Sequence, residues 1–322
     1  MDMDRTVEAA MRLSKEPSRV TTKAIAKRIS LLTQKPVPVG LIKKRHDEIL
    51  AYREQLERLL KNPGIPQRTP EWYAARENMV TGSELYNAME GRKQFFEGKL
   101  AGPESWNALK DNPAIKWGVL YEPVATAIYE RRTGATVHEF GLIPHESIRG
   151  FGASPDGISE LGIMLEIKCP YSRQITGEVP RAYAAQIQAQ LDTCGLRECD
   201  FLECKLEEYQ DAAAFRADTH PQDPRLSRDG TEKGAVWLSD GAHEVSPDED
   251  ADGVLAWADE RPGAKLWKLV FLSCARVKKD DAYIREIAPK IERAVDRIAK
   301  YRRDPDAFSK DFGELKGFSF IM

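Results

Sequence analysis

The chain has 322 residues, 42% of them hydrophobic and 31% charged, with a formal net charge of −3. That suffices for one sizeable core and a small second unit, and no run of eighteen apolar residues occurs, so a membrane-spanning helix is excluded. The charge is unevenly divided: residues 1–62 hold 14 Lys and Arg against 8 Asp and Glu, the remainder 34 against 43.

The basic segment reads as a small all-helical module. "RTVEAAMRL" is amphipathic, "VTTKAIAKRISLL" opens on threonines suited to an N-cap, and "QKPVPVG" breaks the pattern. "LIKKRHDEILAYREQLERLL" then puts Leu41, Ile42, Ile49, Leu56, Leu59 and Leu60 roughly on one stripe. Three prolines and a glycine in "KNPGIPQRTP" mark a linker, giving an expected division into 1–62 and 63–322. "EWYAARENMVTGSELYNAM" reads as two helices broken at "TGS", the second capped by Thr81 or Ser83, with Trp72 in the core. "AGPESWNALKDNPAIKWG" is irregular. "WGVLYEPVATAIYERRTG" is a long helix stopped by Gly134, with Val119, Val124, Ala127 and Ile128 on its apolar side.

"TVHEFGLIPH", "GFGASPDG" and "GIMLEIKCP" read as three strands of a meander. "PRAYAAQIQAQLDTCG" is a helix and "ECDFLECKLEEY" a strand. Residues 210–262 turn polar and suggest a long surface insertion with one short strand, "KGAVWL". "AKLWKLVFLSCARVKK" is a strand, and "DDAYIREIAPKIERAVDRIAKYRRD" a closing helix with Ile284, Ile287, Ile291, Val295 and Ile298 at helical spacing. The expected class is α/β, a mixed central sheet flanked by helices, preceded by the helical module. Cys169, Cys194, Cys199, Cys204 and Cys274 form no C-x-x-C pair. They read as free thiols of a reducing intracellular compartment, and the charged N-terminus lacks a signal peptide's apolar stretch.

The chemistry concentrates in "SPDGISELGIMLEIKCP". On a strand of period two, Glu166 and Lys168 share a face with Met164, while Ile163, Leu165 and Ile167 take the other and are expected to be the buried set. Asp156 in its turn and Glu166 on the next strand are two converging carboxylates, the oxygen donors that Mg²⁺ prefers beside a backbone carbonyl and waters. Lys168 supplies a point charge next to such an ion. By itself the spacing P-D-x₉-E-x-K also suits a hairpin with a solvent-exposed Glu–Lys pair.

Five ordered segments, "WYAAR…TGSE", "WGVLYEPVA", "GASPDG", "LEIKCP" and "YAAQIQAQL…G…CDF", resemble the phage lambda exonuclease and YqaJ-like viral recombinase family, within the PD-(D/E)XK nucleases. The resemblance spans about residues 70–205 and resumes in the last strand and helix. It implies a restriction-endonuclease-like core and a Mg²⁺-dependent deoxyribonuclease, with Mn²⁺ as a substitute and one or two ions per site. It assigns Asp156, Glu166, Glu122 and the Ile167 carbonyl to the metal, Lys168 to catalysis, and Gln186 to the active site. Arg76, Ser83 and Ser154 would bind a terminal 5′-phosphate, with Tyr183 and Gln190 on the substrate side. Tyr183, Gln186 and Gln190 share a helical face, though Tyr183 equally suits the core.

The same resemblance implies 5′-to-3′ resection of double-stranded DNA ends, transfer of the product to a single-strand annealing or binding protein, and a trimeric ring; without a long apolar run, no membrane partner is expected. It points to the versions in large DNA viruses, hence to the cytoplasm, nucleus or viral factory of an infected cell. A structure-selective or restriction-type endonuclease and a non-catalytic recombination scaffold stand as alternatives. The basic module is faintly similar to the C-terminal domain of DEK proteins. Its charge suits phosphate contact or docking equally.

Overall fold

A computed structural model describes residues 2–13, 20–33, 37–101, 111–239 and 242–313, and the side chain of Leu41 and the stretch 102–110 lie outside what is described. Three helices come first, α1 (Met3–Arg12), α2 (Thr22–Thr33) and α3 (Val39–Lys61). Asp2 caps α1, its carboxylate accepting from the Asp4 amide at 3.1 Å. Leu60 falls off the stripe and is exposed. The short elements α4 (Pro70–Glu77), β1 (Val80–Thr81), a 3₁₀ turn (Gly82–Glu84), α5 (Leu85–Met89) and α6 (Lys93–Leu100) follow. Thr81 closes a capping box with Glu84, which is why the chain turns sharply at "TGS". Helix α7 (Pro113–Thr133) ends where Gly134 takes φ +68°, a left-handed stop that glycine adopts without strain.

The expected meander is wrong in one respect: the chain switches between two sheets. Strands β2 (Val137–His138), β5 (Gly157–Ser159) and β6 (Met164–Lys168) belong to a seven-stranded sheet. Strands β3 (Ile143–Pro144) and β4 (Phe151–Ala153) join β1 in a separate three-stranded one. The large sheet runs β2-β5-β6-β7-β10-β8-β9, with β7 (Glu198–Glu208), β8 (Lys233–Ser239), β9 (Ala242–Val245) and β10 (Lys265–Lys278). All its pairs are antiparallel except β6 and β7, which are parallel because α8 (Arg181–Thr193) crosses between them. This is a mixed α/β sheet with helices on both faces.

Burial follows from that layering. On one face Leu165 and Ile167 pack with Tyr121, Val124 and Ile128 of α7; on the other Met164 packs with Ile187 and Leu191 of α8. Both faces of β6 are therefore covered, contrary to the expectation of one free face, and Glu166 is 0% exposed.

The polar stretch 210–262 is also more ordered than expected. It forms α9 (Ala212–Ala217), two strands of the large sheet and α10 (Ala251–Asp259), around Phe215, Ala235, Val254 and Leu255. Buried Lys233 donates to the Phe215 and Asp218 carbonyls and to Thr219, each at 2.8 Å, which replaces its water. Helices α11 (Asp281–Arg303) and α12 (Pro305–Phe312) close the chain over β1, α5 and α6. No helix among the described residues is long and apolar enough to cross a membrane.

Candidate active site

Strand β6 delivers Glu166 into the interior and leaves Lys168 at the rim, a quarter exposed. The Lys168 ammonium donates to Glu166 Oε1, and the same oxygen accepts from Gln186 Nε2 at 2.7 Å. The other oxygen, Oε2, is buried and has no donor among the described residues. Asp156 sits in the turn before β5, where Oδ2 accepts from the Ile167 amide at 2.7 Å. The β5–β6 hairpin thus brings the turn aspartate back onto the glutamate's strand.

Burial pushes the Asp156 carboxyl well above its ordinary range, and the charges of Glu166 and Glu122 push it further than Lys168 and the Ile167 amide pull it down. Glu122, on α7, is likewise raised by burial against the pull of Arg68, 3.5 Å away, and of Lys168. Burial alone would depress Lys168, but Glu166 and Asp156 outweigh it and hold the ammonium above its usual value. Two of these carboxylates, Glu122 and Asp156, line a cavity of about 420 Å³ together with Ile167, Lys168 and Tyr183, and Glu166 is buried beside Lys168. The site is short of positive charge.

Among the described residues no three His, Cys, Asp or Glu side chains stand close enough to hold an ion unaided. Mg²⁺ needs only one or two carboxylates, a carbonyl and waters. The donor set fits it: oxygen only, with one buried carboxylate oxygen lacking a partner.

Helix α8 presents Tyr183, Gln186 and Gln190 toward the strands beneath. The Tyr183 ring lies 5.1 Å from the Lys168 ammonium, Gln186 reaches Glu166, and Gln190 Nε2 donates to the Ser154 carbonyl at 3.2 Å. A second group adjoins it. Arg76 donates to Ser83 Oγ at 3.5 Å and lies 4.3 Å from the Trp72 ring centre. The Trp72 indole donates to Ser154 Oγ at 3.2 Å. Burial depresses the Arg76 guanidinium against the pull of Glu84. Every residue selected from the sequence therefore falls in one of two adjoining groups.

Trp72 is a correction. It is half-buried, against Arg76 and Ser154, rather than a core residue. Its place four residues before Arg76 on one helix face was the available signal. Two arginines escaped the sequence reading. Arg68 pairs with Glu122, and Arg173 lies 5.7 Å from the Tyr183 ring centre while donating to Glu203. Arg68 is the only described non-glycine residue at positive φ, +66°, a backbone state that no motif announces. Cys169 packs in the core, and all five cysteines are free.

Residues 71–197 match the family model described as the YqaJ-like viral recombinase domain. An uncharacterised protein of Acanthamoeba polyphaga mimivirus is 31% identical over 208 residues, 58% of this chain and 38% of that protein. A protein of African swine fever virus, from a South African tick isolate, is 27% identical over 159 residues, 39% of this chain and 45% of its own length. The chain thus spans less than half of these two relatives. Among solved structures, an alkaline exonuclease from Laribacter hongkongensis is similar at 26% identity, covering 74% of this chain and 98% of that one with a TM-score of 0.47. Both residue groups of the site lie inside the segment 71–197 that is similar to the YqaJ-like viral recombinase domain.

Proposed function

We propose that the chain is a Mg²⁺-dependent deoxyribonuclease that digests double-stranded DNA from its ends, 5′ to 3′. The observation that carries the reading is Glu166: a fully buried carboxylate with one oxygen held by Lys168 and Gln186 and the other without a partner among the described residues, its charge felt by Asp156, which lines a cavity with Glu122 and Lys168. The similarity of residues 71–197 to a viral recombinase domain supports DNA as the substrate.

In this reading Asp156, Glu166 and the Ile167 carbonyl would hold the ion, with Glu122 beside them. When bound, the ion supplies Lewis acidity and neutralises charge on the phosphate. Lys168 orients the attacking water and adds fixed positive charge where negative charge grows on the phosphorus oxygens. Gln186 holds Glu166 in its rotamer. Arg76, Ser83 and Ser154 grip a terminal phosphate, for which a planar fork and short hydroxyl donors are suited.

One assay tests the whole: linear duplex, closed circle and single strand, each with Mg²⁺ or chelator. Metal-dependent loss of the linear duplex with intact circles is expected. Nicked circles, or digestion in chelator, would overturn it. Arg76→Ala is expected to erase any preference for 5′-phosphorylated over 5′-hydroxyl ends, and an unchanged ratio would remove Arg76 from the end pocket.

A further inference from the structure

A second cavity, of about 610 Å³, lies beside the acidic one. Trp72 and Tyr73 of α4, Ile115 of α7 and Leu238 of β8 form much of its wall. Ile115 and Leu238 are left 40% and 42% exposed. Three cations line it, Arg68, Lys116 and Lys265, and among the described residues no carboxylate does. In a body with excess Asp and Glu, that is a local reversal of sign.

Helix α7 stands between the two cavities, with Glu122 lining the acidic one and Ile115, Lys116 and Val119 the other. Arg68 reaches Glu122 at 3.5 Å, and Trp72 joins Ser154 and Arg76. Lys116 and Lys265 hold partly exposed carboxylates, Asp111 at 3.0 Å and Glu208 at 3.7 Å. Such exposed pairs are weak and exchange readily for another anion. Aromatic and aliphatic walls with cations at the edge match an unpaired nucleotide strand, whose bases stack and whose phosphates seek Arg and Lys. A duplex keeps its bases stacked inside and cannot offer them.

We propose that this groove binds single-stranded DNA next to the scissile phosphate. The proposal rests on the nuclease reading for DNA as the substrate. Its far wall, Leu238 and Lys265, falls outside the segment 71–197 that carries the family match. The groove is therefore built partly by the stretch after β7.

The test measures binding of a fluorescein-labelled oligo-dT without 5′-phosphate to the full chain in chelator, by polarisation. The proteins are wild type, Lys265→Ala, the pair Ile115→Ser with Leu238→Ser, and Lys310→Ala on α12 as a control. Both groove variants are expected to weaken binding at least about fivefold and the control less than about twofold. Lys265→Ala changes an exposed side chain and keeps the test valid should the double variant misfold. Unaltered binding in both groove variants would overturn the proposal and leave the groove to a protein partner. Because nothing is cleaved in chelator, the two readings fail separately. Groove-dependent binding without any Mg²⁺-dependent digestion sinks the nuclease, whereas digestion with groove-independent binding sinks only the groove.

Discussion

A carboxylate with no solvent exposure depends on whatever cation lies beside it, and Glu166 has one ammonium and one amide. Removing Lys168 leaves a buried acceptor short of donors, at a cost of about 1–3 kcal/mol. It also removes fixed positive charge from the phosphate's position, and losses of one such donor run to roughly 10²–10³ in turnover. Lys168→Ala should therefore do two things at once: nearly abolish digestion, and lower the thermal midpoint more in chelator than in Mg²⁺. A thermal shift series in both conditions checks the second effect without reference to activity. An equal loss in chelator and Mg²⁺ would mean that no ion replaces the lost ammonium.

At the scale of elements, α1 and α3 are tied to the large sheet by a buried ion network. Arg45 donates to Glu8 at 2.6 Å and to Glu198 at 2.7 and 2.8 Å. Arg276 on β10 reaches Glu198 at 2.6 Å, Asp200 at 2.9 Å and Glu8 at 3.0 Å, while Arg5 reaches Asp200 at 3.0 Å. Burial would raise Glu198 and Asp200, yet the guanidiniums hold both below their ordinary range. Depressed carboxyls contribute stability that is present above the ordinary carboxylate value, about 4, and lost as pH falls through the depressed one. Protection factors for hydrogen exchange in α1–α3, corrected for the intrinsic rate at each pH, should therefore fall on acidification before those in α7 do. Removing one member of a buried pair costs about 3–5 kcal/mol, so Arg276→Ala should unfold at markedly lower denaturant at pH 7, with a smaller deficit in acid. A deficit independent of pH would deny the network its role.

The helices and the D…E-x-K strand were legible in the sequence because they rest on local period and spacing. This network was not, since Arg5, Arg45, Glu198 and Arg276 meet only through tertiary packing. The sheet switch between β2 and β3 was hidden for the same reason, as was the incorporation of 210–262 into the sheet edge. In the site, β6 and α8 announced their residues, whereas Arg68 and Arg173 come from irregular backbone without periodicity.

Over the whole molecule, the split between a basic first 62 residues and an acidic remainder has an internal use. Arg5, Arg12 and Arg45 meet the body's Asp200, Glu160 and Glu198, so part of the opposite charge is spent on docking. The apolar contacts agree. Val7, Ile25, Ile29, Ile42 and Ile49 share one cluster with Leu161 and Ile163, and Leu56 and Leu59 pack with Ile187 and Leu191 behind the site helix α8. At Gly162, φ is +74° and a side chain would collide with the Tyr52 carbonyl, so the β5–β6 turn seats directly on α3. Each buried aliphatic side chain is worth about 1.5–3 kcal/mol, so removing this layer takes away stability comparable to that of a whole domain. Residues 63–322 alone should be insoluble or melt without cooperativity, and a soluble fragment with a sharp transition would contradict the docking argument. Deletion cannot then measure phosphate contact. Charge reversal of exposed Lys23, Lys27 and Lys44 can, because each phosphate contact changes the salt slope by about 0.9. If the N-terminal charge serves docking, the triple variant keeps the wild-type slope for duplex DNA, and a fall of about two or more would assign these helices to the DNA instead.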